Sequence, residues 1–206
     1  MPPTPDPDAA FADAEAANAD DAGLATGFDR AWALLAAAPG DPSSGLRLPV
    51  VATVHDGEPD ARVMVVRAVD RAAHSFTVYS DVRAAKIAVL AAAPRVAVTG
   101  YDIATRFQLR LHGTAMIAIA GAEVDAAWAA LTPSGRSAYQ SIEPPGTPVP
   151  HPLGPPVAPA DCGRATFAVV TIVLDRFEWL DLAVSGHRRA LHVRDGAGWK
   201  GRWLVP

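Results

Sequence analysis

Residues 48–69 read LPVVATVHDGEPDARVMVVRAV. Leu48 to His55 is rich in β-branched side chains, Asp56-Gly57 readily reverses an antiparallel chain, and Arg62 to Val69 resumes the extended pattern, so the stretch predicts a β-hairpin. A third strand, Ser75 to Tyr79, precedes a helix over Val82 to Ala93, marked by its alanines and by Ile87, Val89 and Leu90 and closed by Pro94. Val96 to Tyr101 and Phe107 to Ile119 are extended again, around a polar Asp102 to Arg106 connection. Ala122 to Leu131, with Trp128, reads as a helix that Pro133-Ser134-Gly135 stops. Four further strands follow, at Thr166 to Leu174, Phe177 to Leu182, Arg188 to Val193 and Trp199 to Val205, with Asp195-Gly196 as the last turn. Upstream, Phe28, Ala31, Trp32, Leu34 and Leu35 share one helical face before Pro39-Gly40 ends the run. Residues 1–23 have almost nothing large to bury and predict a mobile arm or a weak helix, and residues 144–159 are so rich in proline that they predict an extended loop. The expectation is a mainly β fold of the α+β class: one compact barrel of about eight strands with a few short helices, spanning residues 24–206.

The 206 residues are 50% hydrophobic and 19% charged with a formal net charge of −4, which excludes disorder throughout and a strongly basic nucleic-acid binder. No basic segment leads into an apolar run at the N-terminus, and no apolar stretch approaches the roughly 20 residues that a bilayer requires, so a cytoplasmic protein with no membrane partner is expected. One cysteine, Cys162, can form no intrachain disulfide and reads as inert; the six histidines lack paired metal spacing, so no metal is expected. There is no internal repeat, glycine-rich phosphate loop, G-x-S-x-G elbow or CxxC.

Chemistry is left to polar residues set among the strands. Arg62 and Arg67 are five apart, so on an unbroken strand they face opposite ways and flank one ligand only if a bulge or a strand end intervenes. They are either solvated cations at a sheet margin or an anion site. Tyr79-Ser80-Asp81 ends a strand before a helix, where it is either an ordinary N-cap or a receiver of phosphate. Arg83 and Lys86, three apart in the first turns of that helix, would oppose its dipole, a cost that a bound phosphate offsets. Gln108 could hydrogen-bond the edge of a heterocycle or simply face solvent. His187-Arg188-Arg189 opens a strand near Trp199-Lys200, while Trp179 and Trp199 suit a core or an interface better than ligand stacking.

Four segments stand in a telling order: Arg62-Val63-Met64-Val65-Val66-Arg67, Tyr79 to Lys86, Gln108 to Gly113, and His187-Arg188-Arg189 with Trp199 and Trp203-Leu204-Val205-Pro206. In that order the chain, from Trp32 to its end, resembles the pyridoxamine 5'-phosphate oxidase-like flavoproteins with the FMN-binding split barrel, and within them the branch typified by cyanobacterial FMN-binding proteins. The resemblance implies FMN as cofactor, held by a homodimer at its subunit interface. It implies Arg62 and Lys86 on the phosphate with Arg83 nearby, Val63 in the same cofactor segment, Arg67 beside the ring or ribityl chain, and Tyr79 and Ser80 lining the cofactor. Gln108 would contact the isoalloxazine edge, and Trp179 and Arg189 would reach it from the partner subunit, as would Gly146-Thr147. His187 and Arg189 would lie nearest the substrate as catalytic residues. The vitamin-pathway oxidase has an arginine two before that histidine, where this chain has Ser185; Ala129 and Pro133 are poor matches for its substrate-holding tyrosine and arginine, although Ser137 is in register and Arg136 could substitute. The expected function is therefore an FMN-dependent oxidoreductase acting on another small substrate. The alternatives are the true oxidase and a non-catalytic FMN-binding or carrier protein.

Overall fold

The computed structural model describes residues 21–152 and 162–206. Helix α1 (Asp21–Ala37) leads into strands β1 (Val50–His55), β2 (Glu58–Val63), β3 (Ala68–Asp70) and β4 (Ser75–Asp81). Helix α2 (Ala85–Ala92) precedes β5 (Arg95–Asp102) and β6 (Phe107–Ala118); then come α3 (Ala122–Ala130) and α4 (Pro133–Ser137), and finally β7 (Phe167–Asp181), β8 (Arg188–Asp195) and β9 (Gly198–Leu204). All pairings are antiparallel. The order is β2-β1-β5-β6-β7-β4-β3, with β8 and β9 continuing from the far part of β7. This is the mainly β split barrel that the sequence predicts.

The hairpin forms, with Asp56 and Gly57 in the left-handed region at φ 51 and 84, but its second strand starts at Glu58 rather than Arg62, and the extended run read from Arg62 to Val69 does not stay one strand. It stops at Val63 and resumes as β3 on the opposite margin of the sheet. Residues 64–67 cross between the two margins. The Met64 and Val66 amides donate to the carbonyls of Pro49 and Arg47, and the Arg67 amide donates to the Thr77 carbonyl on β4. Met64 and Val66 are buried, so alternation persists without a partner strand.

Two other expectations are corrected. The last third has three strands, not four, because Thr166 to Leu174 and Phe177 to Leu182 are halves of β7. A bulge opposite His112 and Gly113 accommodates Asp175, keeping Leu174 and Phe177 both inward on one continuous strand. The first helix begins at Asp21, inside the stretch read as an arm, because Leu24 joins Phe28 against the core and Gly27 lies directly on the Trp179 indole. The rest of that arm, and residues 153–159 of the proline-rich loop, fall outside the described residues; residues 144–152 form no regular element.

The main core joins Trp32 and Leu35 of α1 to the inward residues of β5–β8, among them Phe107, Leu109, Phe177 and Trp179. A second cluster seats α3 on β7 through Val124, Trp128, Tyr139 and Phe167. Among the described residues, no helix is long and apolar enough to cross a membrane.

Candidate functional site

The crossing segment borders a cleft of about 540 Å³, within the range of small-molecule sites. Arg62, Val63 and Arg67 line it together with Tyr79 at the end of β4, Ala84, Ala85 and Lys86 at the start of α2, Tyr139, and Pro145 with Gly146. Both arginines meet one space because β2 ends between them, so the strand-end exception to parity applies.

Arg62 is tethered on the inner face of the hairpin. Its guanidinium donates to the Val51 carbonyl (3.3 Å), to the Thr53 hydroxyl (2.9 Å) and to the Asp60 carboxylate, which also borders the cleft. Arg67 lies over the Tyr79 ring, 5.5 Å from its centroid, and neither it nor Lys86 forms a side-chain hydrogen bond or ion pair among the described residues. Burial, and then the Arg62 charge, hold the Lys86 amine below its usual pKa. Burial pushes the Tyr79 and Tyr139 phenols up, so both face the cleft as neutral donors. Helix α2 starts with Ala84 as its N-cap and receives no side-chain cap, which leaves outward-pointing amides at the cleft. Three cations, one carboxylate, uncapped amides and apolar walls from Val63, Met64 and Val65, all among the described residues, suit a molecule with an anionic end and an apolar body.

The remaining candidates lie elsewhere. Arg83 precedes the helix instead of sharing its first turns, so it has no common face with Lys86; its guanidinium binds the buried Asp81 carboxylate and the Ser141 and Ile142 carbonyls, and does not line the cleft. Ser80 is buried and donates to the Asp81 carbonyl. Trp179 is 1% exposed in the core, stacked with Phe107 and edge-on to Trp203. Gln108, Leu180 and Arg189 lie opposite one another on adjacent strands β6, β7 and β8, so their side chains share one sheet face, the face away from Arg62. On it the buried Glu178 accepts from Arg189 (2.7 Å) and Arg110 (3.2 Å). His187 is exposed on the connection into β8. Arg136, considered as a substrate cation, caps α3 instead through the Trp128 and Ala129 carbonyls and lies over the Trp128 ring. Asp60, Thr53, Tyr139 and Pro145 escaped the sequence reading. Asp60 alone carried a local signal, since it is two before Arg62 on a strand and so shares its face.

The pyridoxamine 5'-phosphate oxidase family model matches residues 44–149. Among solved structures, a pyridoxamine 5'-phosphate oxidase-related, FMN binding protein from Nostoc punctiforme PCC 73102 is 21% identical with a TM-score of 0.65, covering 93% of this chain and 99% of its own. PhzG from Burkholderia lata 383, in complex with tetrahydrophenazine-1-carboxylic acid, is 16% identical with a TM-score of 0.67, covering 93% of this chain and 98% of its own. At these identities the likeness is one of fold. No curated protein matches the chain.

Proposed function

The chain belongs to the pyridoxamine 5'-phosphate oxidase family, and from that premise we propose that it is an FMN-dependent oxidoreductase working as a homodimer. The observation that carries the reading is the convergence of Arg62, Arg67 and Lys86 on one cleft, two of them without an ion pair among the described residues. A dianionic phosphate monoester fits that surplus, and the bare start of α2 offers it further donors. Arg62, pre-oriented by Val51 and Thr53, and Lys86 would hold the phosphate. Arg67 on Tyr79 would border the ribityl chain, and Val63, Met64 and Val65 would wall the ring. Held by these residues, FMN would supply hydride-accepting chemistry, taking two electrons from a small donor. The name of the Nostoc relative, an FMN binding protein, points the same way.

Gln108 and Arg189 share a face opposite to Arg62, so a second copy would bring that face to the cleft. In that arrangement Gln108 and Arg189 would contact the ring, and His187 would stand at its substrate side. Trp179, 1% exposed and stacked with Phe107 in the core, would not touch the ring. Ser185 in place of an arginine and the committed Arg136 argue for a substrate without a phosphate of its own.

The test is the visible spectrum of the purified protein and a fluorescence titration with FMN. Arg62→Ala and Lys86→Ala should each weaken binding about 10- to 100-fold, the usual range for a charge-assisted contact. Bleaching by reduced nicotinamides under anaerobic conditions would report hydride transfer to the bound flavin. A colourless protein indifferent to FMN, or unchanged affinity in both variants, would overturn the reading.

A further inference from the structure

Arg83 stands beside the cleft yet spends its guanidinium on two other parts of the chain. Its backbone amide donates to Asp81 Oδ1 (2.8 Å), Nε donates to the same oxygen (3.0 Å), and Nη2 donates to Oδ2 (2.7 Å), so the buried Asp81 grips it bidentately. The outer side of the fork reaches across more than fifty residues of sequence: Nη2 donates to the Ser141 carbonyl (2.9 Å) and Nη1 to the Ile142 carbonyl (3.0 Å). Asp81 ends β4, whose Tyr79 borders the cleft. Ser141 and Ile142 open the segment whose Pro145 and Gly146 also border it.

Past that junction the segment is tied mainly to itself. Ser141 Oγ donates to the Glu143 carbonyl (2.9 Å), and the Thr147 amide and hydroxyl both donate to the Pro144 carbonyl. Gly146 sits at φ 92, in the left-handed region, which fixes the turn. Two prolines, Pro144 and Pro145, stiffen the piece. Among the described residues, Arg83 supplies the side-chain hydrogen bonds that tie Ser141 and Ile142 to β4.

We propose that Arg83 is a positioning residue that buckles residues 141–146 to the β4 end, holding Pro145 and Gly146 as the roof of the anion cleft and setting how fast a ligand enters and leaves. The inference deepens the cofactor reading and rests on it for its ligand. It assigns Arg83 a role away from the phosphate. A planar fork satisfies carboxylate and carbonyls at once; a lysine ammonium cannot span both.

Two measurements separate the possibilities. In ligand-free protein, amide hydrogen exchange over 138–147 should quicken at least tenfold in Arg83→Ala and in Asp81→Asn, and nearly as much in Arg83→Lys, which keeps the charge and is the gentler change should the alanine variant fold poorly. With FMN bound, release should be about tenfold faster in Arg83→Lys while the salt dependence of affinity keeps its wild-type slope, because no phosphate contact is lost. Unchanged exchange in a folded Arg83 variant would overturn the proposal. So would an affinity loss in Arg83→Ala accompanied by a shallower salt slope, the mark of a direct phosphate contact. If wild-type protein fails to bind FMN, the cofactor reading falls and the exchange arm still decides whether Arg83 holds the roof.

Discussion

Among the described residues Asp60 is the one acid lining a cleft that otherwise gathers cations, and its side chain is 72% exposed. Its ion pair with Arg62 is therefore a surface contact worth at most about 1 kcal/mol, while a dianion arriving at the same guanidinium is repelled by it to a similar extent. Val51 and Thr53 still orient Arg62 when the carboxylate is removed. Asp60→Asn should therefore tighten FMN binding roughly fivefold and leave riboflavin, which has no phosphate, unaffected; titrations with both ligands check this. A weaker affinity for both would make Asp60 an orienting group instead. Residue identities in the cleft were legible where a motif carried them, as for Arg62, Arg67, Tyr79 and Lys86. They were not legible where chain geometry decides. Nothing local says that Tyr139 and Pro145 return to a wall sixty residues upstream, or that Asp81 captures Arg83 before the helix begins.

Helix α1 is held on the β8–β9 hairpin by an acid-sensitive contact. Phe28 stacks on the His192 ring with centroids 3.9 Å apart, and burial lowers the His192 pKa from 6.5 to about 4. The unfolded chain takes up a proton near pH 6.5 while the folded one resists to about 4, so between those values the unfolded state binds more protons and stability falls as pH falls. The loss amounts to something on the order of 2–3 kcal/mol at pH 4.5. Urea midpoints at pH 7 and pH 4.5 measure it, and His192→Leu should flatten the difference. On the same helix, Gly27→Ala would drive a methyl group into the Trp179 indole. Overpacking a buried tryptophan costs about 1–3 kcal/mol against a gain in helix propensity of about 1 kcal/mol, so a net loss of up to about 2 kcal/mol is expected in chemical denaturation. These elements explain where periodicity misled: residues 21–23 read as part of the arm though the helix starts at Asp21, and strands that read as ending at Leu174 and starting at Phe177 are one strand through a bulge. Hairpin β1–β2, strands β4 to β6 and hairpin β8–β9 were legible because their turns and alternation are local.

At the scale of the molecule, the face bearing Gln108 and Arg189 and the cleft bearing Arg62 and Lys86 look in different directions, and a homodimer is what would join them. Mixing denatured and refolded Lys86→Ala with Arg189→Ala should then restore about a quarter of the wild-type tight FMN sites, since half the dimers are mixed and each has one intact site by two-fold symmetry. No recovery would mean that each chain holds its ligand alone. The strand order also has a consequence of its own. β2 and β3 are neighbours along the chain but terminate opposite margins of the sheet, and only residues 64–67 run between them. The hoop of backbone bonding is thus open at one stave, and whatever lodges there completes the circumference. Melting and occupancy become a single equilibrium: at a hundredfold excess over its dissociation constant a guest adds about 2.7 kcal/mol, and the empty barrel should begin to spring apart at that gap.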